Sequence, residues 1–143
     1  YGEFLKQMPI AQDGNPYHGF GGSPFQNQPG KFEAIFAAPL AAWAGRYAKA
    51  TDFSGQPLIK LLEQVADLKP VVAYVSVHFN QPEWENYPFG RMMINNHAVL
   101  LDGFNNLNNT VHVSDPIDGK YWLSQQKFSN IYNLRKMAVV IAG

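Results

Sequence analysis

The chain has 143 residues, 46% of them hydrophobic, and its eleven basic and eleven acidic residues cancel to a formal net charge of zero. That suits one globular domain with a sizeable core, and it leaves no basic footprint for nucleic acid and no apolar run of the roughly 20 residues a membrane span needs. The absence of cysteine excludes a disulfide framework, a thiolate metal site and a thiol nucleophile within these residues.

Residues 12–30 are dense in Gly, Pro, Asn and Gln and follow neither the helical nor the strand period, so they read as an irregular loop pinned by Tyr17, Phe20 and Phe25. From Pro39, the positions Leu40, Trp43, Ala44 and Tyr47 have the i, i+3, i+4, i+7 spacing of an amphipathic helix ending near Ala50. Leu58, Leu61, Leu62 and Val65 repeat that spacing after Pro57, and Lys69-Pro70 stops it. The run from Val71 to Val77 is short, apolar on both faces and bounded by proline, which predicts a buried strand. A loop is expected from Asn80 to Arg91, carrying Trp84 and Tyr87. A hairpin follows, with strands on either side of the polar stretch from Asn105 to Asn109. Beyond it come a strand near Tyr121 to Leu123, a helical turn from Ser124 to Tyr132 and a last strand from Met137 to Ile141. No internal repeat is visible. Two helices followed by a mainly antiparallel sheet make an α+β fold in a single domain.

The hairpin carries the chemistry. If its strands pair symmetrically about Leu107, Asp115 lies opposite Val99, and His97, two residues from Val99, shares its face. His97 and Asp115 are then diagonal neighbours, a general base and the carboxylate that would orient it. A plainer reading is that Asp115 only caps the Asp115-Pro116-Ile117-Asp118-Gly119 turn. The same register sets His112 opposite Asp102 on the other face, a rival pair of the kind that is usually a structural contact.

Other candidates are weaker. His18 and His78 have no ligand spacing with another His, Asp or Glu, so neither a metal nor any cofactor is implied. The Gly21-Gly22-Ser23-Pro24 stretch lacks the second glycine and the following helix of a serine-nucleophile elbow, and the glycines match no phosphate loop. Asn108-Asn109-Thr110 matches the glycosylation sequon, which matters only in a eukaryotic secreted chain.

These residues also resemble a family. Asn15-Pro16 with Gly19-Phe20-Gly21-Gly22-Ser23-Pro24, then Phe36-Ala37-Ala38-Pro39, Asp52-Phe53-Ser54-Gly55 and Lys69-Pro70-Val71-Val72 fall in the order seen in papain-like cysteine peptidases related to the bacteriocin-processing, double-glycine-leader peptidases. Asn96-His97-Ala98-Val99-Leu100-Leu101-Asp102-Gly103-Phe104 and Val113-Ser114-Asp115-Pro116 are similar to that family's histidine and Asp-Pro motifs.

The resemblance implies a papain-like α+β fold, in which this chain is the C-terminal two-thirds. It implies a Cys-His-Asp triad in which His97 is the general base and Asp115 the orienting acid, and a peptide or protein as substrate. In such relatives the nucleophilic Cys opens a helix upstream of the position of Tyr1, with an oxyanion-stabilising Gln just ahead of it, and Glu3 to Met8 looks like the tail of the helical region that follows. Truncation is therefore expected, with no activity in the chain alone and an apolar face either exposed or covered by a second copy. The alternative is a catalytically dead module that binds peptide or cell-wall material. An extracellular or cell-surface location is the expectation for either.

Overall fold

The computed structural model describes Ile10, residues 15–17, Phe36, Ala41 and residues 49–142. The elements in chain order are β1 (Lys49–Asp52), α1 (Leu58–Ala66), β2 (Val71–Ser76), a single 3₁₀ turn (Val77–Phe79), β3 (Trp84–Tyr87), β4 (Gly90–Met93), β5 (Asn96–Asn105), β6 (Thr110–Asp115), β7 (Gly119–Ser124), α2 (Gln125–Tyr132) and β8 (Ala138–Ala142). Six strands form one sheet in the order β1-β8-β2-β5-β6-β7, with every pairing antiparallel, and β3 and β4 form a separate hairpin. The α+β class with a mainly antiparallel sheet is the one read from the sequence.

The periodicity of each element explains what it buries. In α1, Leu58, Leu61, Leu62 and Val65 are the buried residues, one stripe of the helix, and each such side chain contributes about 1.5–3 kcal/mol when taken from water. The chain leaves α1 through Leu68, whose φ of 61° is left-handed, two residues before Pro70. In α2, Ser124 caps the first turn by accepting the Lys127 backbone N–H at 3.0 Å, while Phe128, Ile131 and Tyr132 are buried.

Strand β2 is buried on both faces, as its unbroken apolar run predicts. Val71, Ala73 and Val75 join α1, α2, Val99, Leu101, Val111 and Val113 in one core. Tyr74 packs on the opposite side with Phe36, Ala41, Met92, Met137 and Val139. The sheet is thus a partition between two apolar layers, and the face a residue occupies decides its surroundings.

Three expectations need correction. The loop expected from Asn80 to Arg91 contains the β3–β4 hairpin, whose turn uses Gly90 at a φ of 128°; Tyr87 stacks on Phe89, and the Arg91 guanidinium lies over Trp84. Proline and acidic residues masked that strand signal. The helix expected to end near Ala50 must end sooner, because Lys49–Asp52 is the strand β1 that pairs with β8; Ala41 is helical and buried, and the other residues of that helix lie outside the described residues. The strand expected to reach Val77 stops at Ser76. Of the irregular loop at 12–30, only 15–17 are described, a turn in which Asn15 Oδ1 accepts the Tyr17 N–H. Among the described residues no helix is long and apolar enough to cross a membrane.

Candidate functional site

β5 pairs with β2 on one side and β6 on the other, so the start of β5 and the end of β6 meet in the middle of the sheet at one end. His97 stands across from Val75 of β2. Leu100 pairs with Ser114 and Leu101 with Val113, the register symmetric about Leu107, and in that register His97 and Asp115 share the face occupied by Val99 and Val113. His97 Nε2 lies 2.7 Å from Asp115 Oδ1, with the imidazole side chain 10% exposed and the carboxylate wholly buried at 0%.

Asp115 accepts far more than one hydrogen bond. Its Oδ1 also takes the backbone N–H of Ile117 at 2.8 Å and of Asp118 at 3.2 Å, and its Oδ2 takes the Tyr121 hydroxyl at 2.9 Å. Turn capping and histidine orientation, rival readings of the sequence, are performed by one carboxylate at once. The turn closes through Gly119, whose φ of 80° an L side chain would resist.

Burial alone would raise the Asp115 carboxyl. The hydrogen bond with His97 opposes it, followed by those from Ile117, Asp118 and Tyr121, and together they hold it down at about 2. Asp115 is therefore ionised at neutral pH and can only accept, so Nε2 of a neutral His97 carries the proton. The lone pair then lies on Nδ1, which has no hydrogen-bond partner among the described residues. A histidine with one nitrogen anchored and the other basic and open can take a proton from a nucleophile.

The segment before His97 is fixed from several sides. Asn95 donates to the Gln81 carbonyl and accepts the Glu83 N–H, and its own carbonyl accepts the Val77 N–H. Arg135 reaches in from the stretch between α2 and β8, donating from one terminal nitrogen to Asn96 Oδ1 at 2.5 Å and from the other to the Val75 carbonyl at 2.9 Å. Its Nε is buried without a hydrogen-bond partner among the described residues. Burial lowers the guanidinium to about 10, against Tyr17 and Tyr74, which raise it.

The rival pair forms too, by a different route. A bulge between Leu101 and Gly103 shifts the register by one, so His112 pairs with Gly103 and not with Asp102. Asp102 bulges far enough for its Oδ1 to meet His112 Nδ1 at 2.5 Å, while Oδ2 accepts the Ser114 hydroxyl at 2.7 Å. Its side chains are 23% and 28% exposed, and Trp122 packs edge-on against the His112 ring.

Sequence reasoning missed a third pair, His78 Nδ1 to Asp118 Oδ2 at 2.5 Å. His78 and Phe79 hold left-handed φ values of 56° and 54°, which place His78 over the Asp115–Gly119 turn. Nothing in the local sequence signals a contact across forty residues. His78, Phe79, Asp118, Tyr121 and Lys127 line a cleft of about 320 Å³ beside β7, the last strand of the sheet among the described residues. His18 lies outside the described residues, and among those described no cluster of three His, Asp or Glu could hold a metal.

Comparison with known proteins adds a lineage to this geometry. Residues 1–139 match the profile of the Peptidase_C39 like family. A crystal structure of a Bacillus anthracis protein assigned as a C39-like peptidase superposes with a TM-score of 0.83 at 21% sequence identity, covering 99% of this chain and 78% of that one. At that identity the likeness speaks to the fold. The papain-like α+β architecture expected from the motifs is the one these matches show. No curated protein sequence matches the chain.

Proposed function

Because this chain belongs to the Peptidase_C39 like family, we propose that His97 and Asp115 are the general base and the orienting carboxylate of a cysteine-peptidase-type site acting on a peptide or amide bond. The thiol would be supplied by residues preceding Tyr1, since none of the 143 is cysteine. The observation that carries the reading is the clasp on Asp115, four donors on one buried carboxylate, which leaves Nδ1 of His97 as the open basic nitrogen.

In the reaction, Nδ1 takes the thiol proton as sulfur attacks the carbonyl carbon. The imidazolium so formed is stabilised by Asp115, which stays ionised, and it returns the proton to the departing amine. Water then attacks the thioester, with Nδ1 again accepting the proton and the thiol re-forming. Extracellular or cell-surface peptide material is the substrate class we propose, and the 143 residues alone should be inert.

The lack of cysteine also suits the second reading, a module that keeps the cleft and binds peptide without cleaving it. The experiment is expression of the protein with the residues that precede Tyr1. The peptidase reading expects turnover of a peptide substrate, labelling of a thiol by an alkylating probe, and loss of several orders of magnitude in turnover on His97→Ala. Absence of a reactive thiol in that longer chain, with retained peptide binding, would replace the peptidase by the binding module.

A further inference from the structure

Tyr121 stands opposite Val113 in the β6–β7 pairing, which puts it on the face of Asp115 and one diagonal step from it. Its hydroxyl is the only donor to Asp115 Oδ2 among the described residues, whereas Oδ1 receives the imidazole and two backbone groups. The asymmetry matters. The three bonds to Oδ1 fix the position of one oxygen but leave the carboxylate free to rotate about it, and rotation would swing the in-plane lone pairs away from Nε2. A donor on Oδ2 sets the plane.

We propose that Tyr121 is a positioning residue that fixes the plane of the Asp115 carboxylate and through it the tautomer of His97. This rests on the reading of Asp115 as the orienting carboxylate, and it adds a fourth member from an element outside the hairpin. Burial, the hydrogen bond to Asp115 and the negative charges of Asp115 and Asp118 all raise the Tyr121 hydroxyl above its ordinary value, so it stays a donor at any pH where a peptidase works. The neighbouring titratable groups on this side are Asp118, His78 and Lys127, of which the first two bond to each other. The ring of Tyr121 also forms part of the cleft wall, so a side chain seated there would press on the residue that sets the carboxylate plane.

The test needs no nucleophile. His97 ring nitrogens and the Asp115 carboxyl are followed by NMR in the labelled 143-residue chain, so failure of the peptidase reading and failure of this proposal are separate results. In the wild type, neutral His97 is expected as the Nε2–H tautomer alone. Tyr121→Phe should admit the Nδ1–H tautomer and weaken Asp115 as an acid by about tenfold in its dissociation constant.

Should that variant fail to fold, 3,5-difluorotyrosine at position 121 keeps the shape and makes the hydroxyl more acidic. As it ionises, the donor becomes a charge facing Asp115, and the His97 tautomer should change in that same step, at a pH where the wild type shows nothing. An unmoved His97 tautomer in either protein, even with a shifted Asp115, overturns the proposal and leaves Tyr121 as a satisfied hydroxyl.

Discussion

One hairpin presents a histidine–aspartate pair on each of its faces, and the two pairs differ in everything but their composition. On the inner face His97 and Asp115 are 10% and 0% exposed, and four donors converge on the carboxylate. On the outer face His112 and Asp102 are 23% and 28% exposed, with the Ser114 hydroxyl as an additional side-chain donor. Solvent decides the difference. An exposed pair is screened and exchanges its partners for water, whereas a buried carboxylate must be satisfied by the protein and is therefore held in one geometry. Orientation of a general base needs the second kind of site.

The largest expected consequence is in stability. Asp115→Ala removes the shared acceptor of His97, Tyr121 and two backbone N–H groups of the following turn and should cost about 3–5 kcal/mol by urea unfolding. Asp102→Ala should cost under about 1 kcal/mol, because water replaces what is lost. Equal costs would break the contrast between the faces.

A smaller effect separates the faces by pH. The Asp115 carboxyl is held at about 2, below its ordinary 3.8, and a depressed carboxylate stabilises the fold by about 2 kcal/mol, with that share fully present above the unfolded value. It should be lost as pH falls from about 4 through about 2. Equilibrium unfolding across that window should show the wild type losing its advantage over Asp115→Asn. Asp102 is lowered as well, with burial raising it and the bonds from His112 and Ser114 overriding that, so its loss has the same sign and less weight.

The smallest effect sharpens the comparison without replacing a member of either pair. A Cβ on Gly103 would come within 3.1 Å of the His112 Cβ, so Gly103→Ala should cost about 1 kcal/mol and part His112 from Asp102. NMR signals of His112 should move while those of His97 stay. Movement of both would mean the faces are coupled through the bulge.

Much of the inner site was legible because its information is local. The alternation along two strands and a five-residue polar loop placed His97 beside Asp115, and the Leu100–Ser114 register agrees with that symmetry. The outer pair was expected for the wrong reason, since periodicity cannot show that Asp102 bulges. Tyr121 could have been found by extending the pairing from Val113 across the turn at Gly119. Arg135 and His78 could not. Their contacts with Asn96 and Asp118 depend on where α2 and the left-handed residues at 78 and 79 carry the chain, which is a tertiary outcome. The β3–β4 hairpin was hidden by a composition that favours loops until a second strand supplies pairing partners.

The most direct measurement is the acylation rate of the protein carrying the residues before Tyr1, compared between Asp115→Asn and Asp102→Asn with one peptide substrate. Asp115→Asn should keep the fold and lose up to about 10⁴-fold through the wrong His97 tautomer, while Asp102→Asn should leave the rate nearly unchanged. Equal losses at the two positions, or a loss at Asp102 alone, would contradict the assignment of the site to the buried face.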